Sequence, residues 1–197
     1  PATGMWYDLA RLPSFNEARA ITICEGHLFA IGWEDDRLTI EKFDPQKNMW
    51  SEVLSNSTNL PMAAVSVEDS IFLLKENGVT RFKPRDHSWE DMAPMDSLRR
   101  GLCAVSLGGL VYAIGGHDGL RQLGLNSVER YDPQSDQWEY VSSMDERRAF
   151  ASATVMDNKI FVVGGTGDNF LPLQNCELYD PVTDTWSLLS AELCVPR

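Results

Sequence analysis

Short apolar runs recur along this chain in one order, four times over. A first run (residues 20–24, 63–67, 103–107 and 151–156) is followed by a polar or glycine-bearing turn: Glu25-Gly26, Glu68-Asp69, Gly108-Gly109 or Asp157-Asn158. A second run comes directly after it (28–31, 71–74, 110–114 and 160–163). Two apolar strands joined by so tight a turn predict a β-hairpin. A third run (38–43, 79–82, 127–131 and 176–179) leads into a turn containing proline, and a fourth strand is expected to begin near the tryptophan beyond it.

That turn carries the sharpest repeat. A proline precedes a tryptophan by five residues in Pro1/Trp6, Pro45/Trp50, Pro84/Trp89, Pro133/Trp138 and Pro181/Trp186. The tryptophans are 44, 39, 49 and 48 residues apart. Three units read Asp-Pro (Asp44-Pro45, Asp132-Pro133, Asp180-Pro181) and one reads Lys83-Pro84. A residue as rare as tryptophan returning at one offset establishes an internal repeat. Four short antiparallel strands in a unit of this length describe the blade of a β-propeller. Proline falls in a turn, where its missing N–H costs nothing. The pairs Gly115-Gly116 and Gly164-Gly165 suit positive φ or close backbone approach. The tryptophan supplies apolar area for the gap between adjacent blades.

The string Leu110-Val111-Tyr112-Ala113-Ile114-Gly115-Gly116, with Val128-Glu129-Arg130-Tyr131-Asp132-Pro133 and Trp138, resembles the kelch repeat. So do Ile160-Phe161-Val162-Val163-Gly164-Gly165, Cys176-Glu177-Leu178-Tyr179-Asp180-Pro181 and Trp186. The resemblance spans the chain and is strongest over residues 98–197. The first two units depart from it, with Gly32-Trp33 and Leu74-Lys75 in place of the glycine pair. The expected fold is all-β: kelch-type blades forming a partial ring of about four, with blades at 19–54, 62–93, 100–142 and 149–190. Residues 1–12 read as the fourth strand of a preceding blade, with the strand itself over 6–12. Adaptors that the chain resembles have six blades, so an open arc is expected in preference to a closed four-bladed ring. Open faces and edges of that kind favour self-association.

The connections between second and third strands differ along the chain. Asn77-Gly78 reads as a two-residue hairpin turn and Glu34-Asp35-Asp36 as a short one, whereas residues 117–126 and 166–174 are long excursions. Loops of this length on a rigid scaffold are where binding resides. They contain His117, Asp118, Leu120, Arg121, Leu123, Leu125, Asn169, Phe170 and Leu171. A second candidate set precedes the first strand of each blade: Arg19, Arg99, Arg100, Arg147, Arg148 and Arg197. The resemblance implies that the second arginine of such a pair faces the mouth of the central channel and meets acidic groups of a bound peptide. This gives the role to Arg100 and Arg148, with Arg19 and Arg197 as weaker matches. A guanidinium there can hold a carboxylate bidentately, the competing reading being a salt bridge within the propeller. His117 and Thr166, which follow the glycine pairs, face the same mouth by resemblance. Thr166 stands where the family often has an aromatic, which puts an aromatic clamp in doubt. The candidate partner-binding residues are therefore Arg100, Arg148, Arg19, His117, Asp118, Arg121, Asn169 and Phe170.

Composition narrows the function. With 29 acidic against 17 basic residues the net charge is −12, a field that repels nucleic acid and anionic membrane surfaces. No apolar run approaches the length of a membrane span. Cys24, Cys103, Cys176 and Cys194 form no CxxC pair and read as free thiols of a cytoplasmic protein. His27, His87 and His117 lie in different units, outside metal-ligand spacing, and neither hydrolase nor phosphate-binding motifs occur. No cofactor, metal or catalytic residue is expected. The resemblance implies the substrate-recognition module of a BTB–kelch adaptor, presenting client proteins to a cullin-RING ubiquitin ligase contacted through domains outside these residues. The alternative is an actin-binding or cytoskeleton-organising kelch protein.

Overall fold

The computed structural model describes residues 8–13, 18–34, 37–56, 61–119 and 124–193, with the backbone alone at 18–19, 33–34, 54–56 and 191–192. Among these residues sixteen strands form four antiparallel sheets, each with its strands in sequence order. The first blade holds β1 (Ala18–Cys24), β2 (His27–Glu34), β3 (Arg37–Asp44) and β4 (Met49–Asn56). The second holds β5 (Ala63–Val67), β6 (Ser70–Leu74), β7 (Val79–Lys83) and β8 (Ser88–Met92). The third holds β9 (Cys103–Leu107), β10 (Leu110–Ile114), β11 (Val128–Asp132) and β12 (Gln137–Val141). The fourth holds β13 (Ser152–Met156), β14 (Lys159–Val163), β15 (Asn175–Asp180) and β16 (Thr185–Glu192).

The proline turn explains its own sequence. Asp44, Asp132 and Asp180 each accept backbone N–H groups just beyond the proline, at 2.8–2.9 Å to Gln46, Gln134 and Val182. Such bonds favour the ionised form and hold each carboxyl below its ordinary range; the largest contribution comes from the Lys47 N–H in Asp44, the Gln134 N–H in Asp132 and the bonded Lys159 side chain in Asp180. The turn closes on a residue at positive φ: Asn48, His87, Asp136 or Asp184. The tryptophan two residues further on lies against the aromatic next to the end of the third strand, as in Tyr131–Trp138 and Tyr179–Trp186, both with ring centroids 5.0 Å apart.

Those closing residues also join consecutive blades. Asp136 accepts the backbone N–H of Ala93 at 2.8 Å while the Trp138 indole N–H donates to the Ala93 carbonyl at 2.9 Å. Asp184 and Trp186 grip Ser142 in the same way, and Asn48 and Trp50 grip Ala10. Each pair fastens the chain leaving one blade to the outer edge of the next. Among the described residues the second blade shows no such latch: His87 stands in place of the acceptor, and the buried Trp89 indole nitrogen has no hydrogen-bond partner. The Ala10 latch marks residues 8–13 as the corresponding connection before the first blade. They are irregular, so the strand expected over 6–12 is absent from its described part, and Trp6 lies outside the described residues.

The hydrophobic cores lie between blades. Phe29, Ile31 and Ile40 of the first blade meet Ile71, Leu73 and Phe82 of the second. Val65, Phe72 and Leu74 meet Val111, Ala113 and Tyr131. Cys103, Tyr112, Ile114 and Val128 meet Ile160, Val162 and Tyr179. Both faces of β6 are therefore buried, whereas β14 alternates buried and half-buried residues because, among the described residues, one face of the fourth blade is covered. The inner strands pack in the order β1, β5, β9, β13, and β13 does not pack on β1 as the consecutive pairs do. They border an axial cavity of about 360 Å³. The arc is open, as the sequence leads one to expect.

Candidate functional site

The glycine pairs mark where each inter-blade connection passes over the preceding blade. A Cβ on Gly115 would lie 2.2 Å from the Arg148 carbonyl oxygen, and Gly115 has φ of +61°. The Gly116 N–H donates to that carbonyl at 2.7 Å, and the Arg148 N–H donates to Leu125 at 3.1 Å. The Arg148 backbone is thus held by the third blade, while its side chain enters the fourth.

Four of the five guanidinium N–H donors are bonded there. Its Nε donates to Glu177 at 3.0 Å, Nη1 to the carbonyls of Gly164 and Asn175 at 2.9 and 3.0 Å, and Nη2 to Asn175 Oδ1 at 2.6 Å. Glu177 also accepts the backbone N–H groups of Asp145 and Glu146. Both charged side chains are fully buried. Arg99 and Glu129 repeat the arrangement in the third blade, with Arg99 bonded to Gly115 and Ser127, and Glu129 to Asp96 and Ser97. Glu41 is equally buried at this place in the first blade; the second has Thr80, which donates to Asp91 at 3.0 Å.

The structure therefore corrects the expectation for Arg148. Its guanidinium points into the sheet and is 1% exposed as a residue, so it offers nothing to a partner at the mouth. The register explains the difference. Arg100 exchanges backbone hydrogen bonds with His117, and Ala149 does so with Thr166, so the counterpart of Arg100 is Ala149. The two arginine pairs are offset by one residue. Arg99 and Arg148 each stand 16 residues before the carbonyl they bond at the end of the second strand, a spacing legible in the sequence that reveals the offset.

Arg100 is half exposed, and its Nε lies 2.8 Å from Glu76 of the second blade. Beside it, His117 accepts the Gly119 N–H on Nδ1 at 3.2 Å. The His117 ring contacts Phe150 and Phe170, with centroids at 5.7 and 5.9 Å. Phe170 and Asn169 lie in a single 3-10 turn (Asp168–Phe170) that closes the fourth blade's long loop, and both are exposed at positive φ. Asp118 is half-buried next to His117. Arg100, His117, Asn169 and Phe170 are thereby brought to one face, together with Phe150, which the sequence reading did not single out. Its signal is that it stands where the third blade has Gly101: each is at positive φ, and the Phe150 N–H donates to the Gly101 carbonyl at 2.7 Å.

The remaining candidates fall elsewhere. Arg19 lies in β1, at the register shift between the Ala18↔Gly32 and Ala20↔Ile31 pairs, and no side-chain placement is described for it. Arg121, Leu120, Leu123, Arg197 and Cys194 lie outside the described residues. Asn77-Gly78 is not a two-residue turn: β6 and β7 are joined by four residues without positive φ, closed by the Lys75 N–H donating to Gly78 at 2.8 Å. Cys24, Cys103 and Cys176 are free thiols, and burial pushes the Cys103 thiol up to about 12. Among the described residues no helix is long and apolar enough to cross a membrane, and no group of three or more His, Cys, Asp or Glu is placed to hold a metal.

Kelch motifs are found at residues 98–145 and 147–191, the two blades with the glycine pairs and the buried arginines. Kelch repeat and BTB domain-containing protein 2 of Pongo abelii is 33% identical over 107 residues, covering 49% of this chain and 16% of that protein. Kelch-like protein 21 of Danio rerio is 31% identical over 43% of the chain and 14% of its own length. Kelch-like protein 35 of Mus musculus is 29% identical over 56% of the chain and 21% of its own length. The chain thus spans a small part of these relatives. The kelch repeats and the kelch-containing relatives support a protein-interaction module.

Proposed function

We propose that this chain is the client-recognition module of a BTB–kelch adaptor, which presents client proteins to a cullin-RING ubiquitin ligase. One observation carries the reading: Arg100, His117, Asn169 and Phe170 meet on one face, with Arg100 and His117 on mutually bonded backbone and Asn169 and Phe170 in a turn closed by Gly167 and Leu171. A fixed scaffold with exposed, chemically mixed side chains at its loops is suited to reading a protein segment. Recognition is the whole task of these residues; the ligase is contacted through domains outside them. The BTB domain in the name of a similar protein supports this division. In this reading the module works in the cytoplasm, where its free thiols stay reduced.

The test is affinity purification of the full-length protein. Cullin and RING subunits should co-purify, together with clients whose recovery falls with Arg100→Ala. Recovery of actin without ligase subunits would replace this reading with a cytoskeletal one.

A further inference from the structure

Phe150 is an exposed aromatic in a backbone conformation that suits glycine. Its φ is +56°, and the matching position in the third blade is Gly101, at +63°. A bulky residue there is strained, and strain of this kind gathers at sites where it serves function. Phe150 as a residue is 60% exposed, so packing alone does not account for it. It lies across Gly101: a Cβ built on that glycine would come within 2.6 Å of the Phe150 ring. Phe170, at φ of +57° and 41% exposed, lies on the same His117 ring, and Leu171 beside it is 64% exposed.

We infer that Phe150, His117 and Phe170 form an aromatic cradle that takes an apolar side chain, leucine or an aromatic, of the bound client segment. The inference rests on the client-recognition reading and adds its anchor. The charge balance favours an apolar occupant over an ion. Arg100 and Glu76 pair with each other beside the rings, and the Gly119 N–H donates to His117 Nδ1, so both groups nearest the rings already have partners. Buried aromatic and aliphatic anchors are where binding energy concentrates in protein interfaces. The aromatic clamp left in doubt by Thr166 is thus supplied from two other positions.

The decisive variant is Phe150→Gly, which removes the ring and relieves the left-handed strain together. A phage-displayed library of random linear peptides, panned on the whole chain, provides the probe. Selected peptides should share a leucine or aromatic position and bind Phe150→Gly at least about tenfold more weakly. The variant's Tm should be unchanged or higher. Peptides weakened by Arg100→Ala but indifferent to both Phe150→Gly and Phe170→Ala would overturn the cradle and leave the mouth reading standing. Peptides indifferent to all three variants, or no selected peptides, would overturn both.

Discussion

Arg148 and Arg100 show how one residue type serves opposite ends in this repeat. A buried, fully bonded ion pair contributes little over an apolar pair of equal shape, but removing one partner strands the other charge. We predict that Arg148→Ala costs about 3–5 kcal/mol in denaturant unfolding, because Glu177 is left buried and uncompensated. Arg100→Ala should change stability by less than about 1 kcal/mol, since its pair with Glu76 is half exposed. Equal losses from the two variants would show that Arg100 is also a structural strut. The two arginines looked interchangeable because adjacent arginines precede both first strands. The bond each makes, to Gly164 or to Glu76, separates them, and so does the 16-residue spacing to the glycine pair that Arg148 shares with Arg99 and not with Arg100.

At the scale of the elements, the latch between consecutive blades decides how the sheets adhere. Trp138→Phe should cost about 1 kcal/mol, the worth of the lost bond to Ala93. Trp89→Phe should be neutral or stabilising, because that indole N–H is already buried without a partner. Thermal melts of the two variants distinguish the cases, and a larger loss at Trp89 would show that its ring contacts dominate. The latch also predicts a pH dependence. The Tyr131 hydroxyl, and then the Ala93 N–H, hold the Asp136 carboxyl below its ordinary range. Its folded value is lower than its unfolded one, so its stabilising effect is complete above the ordinary carboxylate range and is lost as pH falls through the depressed value. Asp136→Asn keeps an acceptor, as Asn48 does in the first blade, but cannot titrate. The Tm gap between the parent and this variant should therefore shrink on acidification; a gap that widened would contradict the assignment.

Taken together, the described residues form an arc whose first and fourth sheets each leave one face uncovered. Ile21 and Ile23 are 60% and 65% exposed on the first blade's outward side, and Met156 is 53% exposed on that of the fourth. Their counterparts in the interior blades meet a neighbouring sheet. A protein made of these residues alone is predicted to self-associate through those faces, with a sedimentation-equilibrium mass that rises with concentration. Ile23→Thr combined with Met156→Thr should lower that mass. A concentration-independent monomer mass for the parent would show that the bare faces do not drive association.

The sequence by itself determined the blades. Apolar runs separated by tight turns fix strand and register locally, and the Asp-Pro turn with its tryptophan repeats because each such turn satisfies its own backbone. The second blade was legible despite Leu74-Lys75, since it keeps the Pro84/Trp89 offset and the order of apolar runs. The tertiary structure decided the site. Which arginine faces the mouth depends on a one-residue offset relative to the glycine pair, set by bonds between residues in different blades. Phe150 entered the site because a left-handed backbone turns it outward over Gly101, a conformation that the hydrophobic pattern of the chain does not encode.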